Sequence, residues 1–145
     1  MDKLLLEIVT PNRLLLSEEV DEVQVPGKNG YLGILPGHAP LISELQIGEV
    51  SYRQGKNRHR LTLAMGYCEV VRDHVRILAE TAEKADEIDL ERARASKERA
   101  EKRLADVNNP EIDFARAMAS LQRALARIHI GEEMGANRER GLPPA

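Results

Sequence analysis

The sequence predicts an α+β chain. An N-terminal antiparallel β-sandwich is expected over residues 1–85, a C-terminal antiparallel two-helix hairpin over 86–131, and a disordered tail over 132–145. Three observations carry this. Short runs in the first part alternate apolar and polar residues with period two, the mark of strands with one buried face. Turn signals rich in Pro, Gly, Asn and Asp separate those runs. Beyond residue 85 the texture changes to Ala, Arg, Glu, Lys and Leu, which are strong helix formers.

The strands are read from Leu4, Leu6 and Ile8, then Val23 and Val25, Leu61 and Leu63, Cys68 and Val70, and Val75 and Ile77. Turns fall at Thr10-Pro11-Asn12, from Pro26 to Gly30, from Gln54 to Asn57, and at Arg72-Asp73-His74. A sandwich of this size has a thin core, and this one should be filled by Leu, Val and Ile. The segment from Pro26 to Pro40 carries four Gly and three Pro, which set an irregular path between strands. Its backbone N–H groups suit an anion nest, but no helix follows and no Lys-Ser/Thr closes the loop. Turn geometry with a docking edge is the better reading.

Asp86 and Asp89 are candidate N-caps for a first helix reaching Val107. Asn108-Asn109-Pro110 ends it, because Pro disfavours helical geometry in the residue before it. Asp113 caps the second helix, where Phe114, Met118, Leu121, Leu125 and Ile128 recur at heptad spacing. They are expected to face a stripe of Ala93, Ala100, Leu104 and Val107, with Gly131 as the stop. A hairpin with an Ala-rich seam buries little area, and short helices are marginal alone in water. It is therefore able to open or to exchange its partner surface.

Composition excludes several classes. The 145 residues fit one domain with an appendage. With 21 basic and 24 acidic residues the net charge is −3, which lacks the basic footprint of non-specific nucleic-acid binding. Tyr31, Tyr52, Tyr67 and Phe114 are the only aromatic residues, too few for a base-stacking platform. The single cysteine, Cys68, allows no intramolecular disulfide and no multi-cysteine zinc site, and reads as a small core residue. No run approaches the ~20 apolar residues that span a bilayer, and the N-terminal apolar run is too short for a secretory signal. A soluble, cytosolic chain is expected. No nucleophile elbow, phosphate-binding loop or zinc-protease motif occurs, and His38, His59, His74 and His129 are not spaced as metal ligands. The expectation is a protein with no catalytic residues, no metal and no required cofactor.

Val25-Pro26-Gly27 followed by Gly30-Tyr31-Leu32-Gly33-Ile34-Leu35-Pro36-Gly37-His38-Ala39-Pro40-Leu41 resembles the epsilon subunit of bacterial and chloroplast F-type ATP synthases. Leu6-Glu7-Ile8-Val9-Thr10-Pro11 and Ala64-Met65-Gly66-Tyr67-Cys68-Glu69-Val70 are similar to that family as well. The resemblance implies a non-catalytic central-stalk subunit of a proton-translocating rotary motor, peripheral on the cytoplasmic face of the bacterial inner membrane, with a plastid thylakoid as the other setting. The implied partners are the gamma subunit and the membrane ring of carrier subunits. Tyr31, His38, Ala39, Pro40 and Leu41 are the implied docking residues. The hairpin is implied to switch between a form folded on the sandwich and an extended form that reaches the catalytic beta and alpha subunits and brakes ATP hydrolysis.

Ile88-Asp89-Leu90-Glu91-Arg92-Ala93 also matches the pattern of family members that bind ATP as a regulatory ligand. The resemblance adds Glu83, Arg99, Arg123 and Arg127 to Ile88, Asp89, Arg92 and Ala93 as the implied site. Arg92 and Arg99 are one heptad apart and share a helix face, as do Arg123 and Arg127, so antiparallel helices would bring four guanidinium forks toward a triphosphate. Two plainer readings stay open: arginines on a charged helix are usually a solvated face, and Asp89 is a sensible N-cap without nucleotide. The competing functional reading is a stand-alone nucleotide-sensing adaptor with a β platform and a helical arm.

Overall fold

Alternation in the first strand sets the pattern for the whole N-terminal part: Leu4, Leu6 and Ile8 are fully buried, while Leu5 between them faces outward. The computed structural model describes residues 2–141. It holds eight strands: β1 (Leu4–Val9), β2 (Leu14–Val20), β3 (Glu22–Gly27), β4 (Gly30–Ile34), β5 (Leu41–Leu45), β6 (Gly48–Gln54), β7 (Asn57–Val71) and β8 (His74–Lys84). A 3₁₀ turn (Ala85–Glu87) leads to α1 (Leu90–Ala105) and α2 (Phe114–Glu139).

The strands run β2-β1-β8-β7-β5-β3-β4, and β6 joins β3 to β7. β7 builds both layers of the sandwich. Residues 57–63 pair with β6 and residues 66–70 pair with β5. The change of partner falls at Met65, which takes a left-handed φ of 59°. Gly66 beside it is closed to any side chain, because a Cβ there would meet the Leu78 carbonyl oxygen at 2.1 Å. All pairs are antiparallel except β1 with β8, which is parallel. Those two strands lie at opposite ends of the domain sequence, so no tight turn forces them antiparallel. The Gly-Pro segment is more regular than expected: Gly30–Ile34 forms β4 against β3, and only residues 35–40 are irregular.

The sandwich core is the expected one. Val23, Val25, Leu61, Leu63, Cys68, Val70, Val75 and Ile77 are all buried. Each fully buried Val, Leu or Ile contributes about 1.5–3 kcal/mol. Burial, followed by the neighbouring Glu69 charge, pushes the Cys68 thiol up to about 11, so it is an inert core group.

Caps define the helices. The Asp89 carboxylate accepts the Arg92 N–H at 3.1 Å and starts α1, while Asp86 lies in the 3₁₀ turn. The Asp113 carboxylate accepts the Arg116 N–H at 3.1 Å and starts α2. Three expectations need correction. α1 ends at Ala105, which leaves Val107 outside it and exposed. The α2 side of the seam is not Phe114, Met118, Leu121, Leu125 and Ile128. Phe114, Met118 and Leu125 are exposed, and the buried positions are Ala117 and Ala124, opposite Ala93 and Ala100. Small residues at heptad spacing on both helices let the backbones approach closely, and the longer apolar side chains flank the contact. Finally, Gly131 does not stop α2, which continues to Glu139 where a disordered tail was expected. A Cβ at Gly131 would meet the Leu90 side chain at 3.1 Å, so this glycine serves close helix approach rather than termination. Residues 142–145 of the expected tail lie outside the described residues.

Candidate functional site

The hairpin reaches the sandwich through α2 and the 3₁₀ turn. A small apolar cluster of Ala85, Ile130 and Met134, flanked by Ile88, forms the joint. Ionic contacts surround it. Arg127 Nε donates to Glu83 Oε1 at 2.5 Å, His129 Nδ1 meets the Glu49 carboxylate, and Arg60 lies 3.3 Å from Glu133. Arg13 Nη2 donates to Glu87 at 2.5 Å and fastens the turn to the β1–β2 loop. The joint is therefore short, with little apolar area and several half-exposed ion pairs, each of which contributes about 0–1 kcal/mol.

On the flank of the hairpin, Ser96, Arg99 and Arg103 of α1 and Ser120, Arg123 and Arg127 of α2 line a cavity of about 140 Å³. Arg99 Nη2 donates to Ser96 Oγ at 3.0 Å, and Arg123 Nη2 donates to Ser120 Oγ at 3.2 Å. Glu83 joins the group through Arg127, and Glu83, Arg123 and Arg127 also line a narrow crevice against Thr62, Ala64 and Thr81. Four of the eight nucleotide-site residues expected from the sequence thus meet: Glu83, Arg99, Arg123 and Arg127. The other four are placed differently. Ile88 packs in the joint, Ala93 is buried between the helices, Asp89 caps α1, and Arg92 is exposed at the start of α1 without lining the cavity. Arg103, Ser96 and Ser120 were missed, although the recurrence of Ser three residues before Arg on both helices was visible.

The docking residues do not form one cluster. Tyr31 lies on β4, exposed, and its hydroxyl accepts the Glu49 N–H at 3.2 Å. His38, Ala39 and Pro40 precede β5, and Leu41 opens it beside Val70, whereas the far end of β5 at Leu45 pairs with Gly66 and Gly27. About 13 Å of strand thus separates the Leu41 end from the Tyr31 end. The His38 Nδ1–H donates to the Ala39 carbonyl at 2.7 Å, and the Gly37 N–H donates to the Asp73 carboxylate at 2.7 Å, so the irregular segment is anchored to the β7–β8 turn.

A second surface was missed entirely. Ile42, Tyr67 and Leu78 project outward from β5, β7 and β8, with Ile42 74% and Tyr67 57% exposed. Beside them an apolar concavity of about 430 Å³ is lined by Thr10, Pro11, Met65, Tyr67 and Leu78, with Glu44 and Glu80 at its rim. Large apolar residues at outward-facing strand positions were the available signal. Among the described residues no helix is long and apolar enough to cross a membrane, and no cluster of His, Cys, Asp or Glu is placed to hold a metal ion.

Comparisons with known proteins cover both parts of this architecture. Residues 3–85 match the family model described as the ATP synthase Delta/Epsilon chain beta-sandwich domain, and residues 86–132 match the Delta/Epsilon long alpha-helix domain. The chain is 48% identical over 132 residues to the ATP synthase epsilon chain of Syntrophobacter fumaroxidans, covering 91% of this chain and 98% of that relative. It is 49% identical over 125 residues to the ATP synthase epsilon chain of Nitratidesulfovibrio vulgaris, covering 86% of this chain and 92% of the relative. In fold it is similar to a chain of the Euglena gracilis mitochondrial ATP synthase, with a TM-score of 0.75 at 18% identity over 92% of this chain and 81% of that one. With both domains matched in order and nearly half the residues shared with full-length relatives, this chain belongs to the ATP synthase epsilon chain family.

Proposed function

We propose that this chain is a non-catalytic rotor subunit of the central stalk in a proton-translocating F-type ATP synthase, where it couples ion flow to ATP synthesis and restrains ATP hydrolysis through its hairpin. The observation that carries the reading is the asymmetry of its two parts. The sandwich has a continuous core, whereas the hairpin rests on it by a three-residue apolar joint and surface ion pairs. A stiff foot with a weakly held arm suits a part that turns with a shaft and changes reach.

The sandwich docks on the gamma subunit and on the membrane ring of carrier subunits. The apolar surface around Ile42, Tyr67 and Leu78 supports such docking, as do Tyr31 and the His38–Leu41 segment. This places the protein peripherally on the cytoplasmic face of the inner membrane. When the hairpin leaves the sandwich, exposed Phe114, Met118 and Leu125 and the arginine flank reach the catalytic beta and alpha subunits. ATP is the proposed regulatory ligand of the group formed by Glu83, Arg99, Arg123 and Arg127. It shifts the equilibrium toward the compact form only by its differential affinity for that form.

The test is co-purification. A rotor subunit carrying an affinity tag is expected to bring down the gamma subunit in stoichiometric amount. A Tyr67→Asp, Ile42→Asp double variant is expected to lose it while keeping its fold. Recovery of the tagged chain alone from cells that express the whole synthase would contradict the rotor assignment and favour a free-standing nucleotide sensor.

A further inference from the structure

The cavity on the hairpin flank is built from one motif used twice. Ser96-Lys97-Glu98-Arg99-Ala100-Glu101-Lys102-Arg103 on α1 and Ser120-Leu121-Gln122-Arg123-Ala124-Leu125-Ala126-Arg127 on α2 share the pattern S-x-x-R-A-x-x-R. In each copy the first arginine donates to the serine three residues before it, at 3.0 Å and 3.2 Å. In each copy the alanine is buried in the helix seam. Ser, Arg and Arg of both copies line the same cavity. Because the helices are antiparallel, the two copies are related by an approximate two-fold axis. The buried alanines bring the backbones close, and the four guanidinium groups are left facing one cleft.

Charge makes this arrangement unusual. Among the described residues, no carboxylate lies within 4.0 Å of the guanidinium of Arg99, Arg103 or Arg123, and only Arg127 has a carboxylate partner, Glu83. Like charges gathered in a cleft repel, and the serine hydroxyls supply acceptors but no countercharge. A larger cavity adjoins this one and shares Arg103, Ser120 and Arg123. It adds Arg116, but also the carboxylates of Glu111 and Asp113, which bound the cationic zone on that side.

The geometry points to a polyphosphate cage: the paired S-x-x-R-A-x-x-R motifs hold a run of phosphates, and they read the phosphate chain rather than a base. This rests on the nucleotide reading above and specifies its ligand class. Guanidinium forks match phosphate oxygens bidentately, and a linear phosphate chain offers nearly equivalent oxygens to both halves of a two-fold site. A base is not placed to be read. Asp89, the candidate adenine acceptor, already accepts the Arg92 N–H, and it precedes Arg103 by about 21 Å of helix rise, beyond the span of one nucleoside triphosphate. Ser96 and Ser120 are positioning residues that hold Arg99 and Arg123 in the cleft before the ligand arrives.

Calorimetry of the full chain at physiological ionic strength tests this with ATP, GTP, inorganic tripolyphosphate and adenosine. ATP, GTP and tripolyphosphate are expected to bind comparably and adenosine not at all. Arg103→Gln is expected to weaken all three binders about tenfold or more, as Arg99→Gln does, because each removes one charged pair. Ser120→Ala should cost less and should be matched by Ser96→Ala. Arg72→Gln, on the distant β7–β8 turn, should change nothing. Circular dichroism of each variant monitors the fold. If ATP binds while GTP and tripolyphosphate do not, the base is read: the cage falls and the nucleotide reading survives. If tripolyphosphate binds and ATP does not, the nucleotide reading falls and the cage survives. Silence from all four ligands, or an Arg103→Gln chain that binds as tightly as the parent, overturns the cage.

Discussion

Truncation after Asp86 is expected to raise ATP hydrolysis by the assembled motor severalfold while leaving this subunit bound to the stalk. The sandwich core lies entirely before residue 83, so the truncated chain keeps every buried contact of that core. What it loses is the joint, the ion pairs around it and both helices. If the hairpin is the brake, no other part of the subunit replaces it. The measurement is steady-state hydrolysis by motors rebuilt with full-length or truncated chain, across a range of ATP concentrations. Equal rates at every concentration would remove the braking role.

Ile130→Ala is expected to act in the opposite direction. Ile130 is fully buried and is the largest apolar side chain in the joint, where it packs with Ala85 and Met134. Removing three of its carbons costs about 2–5 kcal/mol at a well-packed site. The joint has little else to offset that loss, because its ion pairs are half exposed. An equilibrium moved by that amount changes about thirtyfold or more. The hairpin should therefore detach, and motors carrying the variant should hydrolyse ATP more slowly than the parent. The sandwich should melt at an unchanged temperature, since its core cluster does not include Ile130. Hydrogen exchange should show faster amide exchange in α1 and α2 but not in β1–β8. Faster exchange throughout the chain would mean that the two parts are one cooperative unit, contrary to this account.

Much of the sandwich was legible because strand alternation is a local signal. Val23 with Val25, and Val75 with Ile77, show their buried face without reference to any partner. The parallel pairing of β1 with β8 was not legible, because it depends on how distant segments meet. The helix seam was misread for a related reason. Heptad spacing drew attention to Phe114, Met118 and Leu125, the larger apolar residues, yet Ala117 and Ala124 carry the same spacing and allow closer approach. Gly131 was read by its usual role at helix ends, whereas here it clears space for Leu90. At the candidate site, Arg99, Arg123 and Arg127 were found because helix periodicity places them on matching faces. Arg103 was not, because its part depends on which flank of α1 meets α2. Ile88 and Ala93 lie in the same short stretch as Asp89, but their side chains are spent on packing.

The central claim is that the hairpin folded on the sandwich is the released state and that leaving it applies the brake. The most direct measurement is hydrolysis by the assembled motor with that folded state held shut. Cysteines at Glu49 and His129, whose side chains meet across the joint, can be bridged with a short, cleavable thiol crosslinker. The native Cys68 is buried and its thiol is raised, so it will not compete. The account predicts that bridged motors hydrolyse ATP as fast as those with the truncated chain, and that cleaving the bridge restores the restraint. Bridged motors restrained as fully as uncrosslinked ones would contradict it.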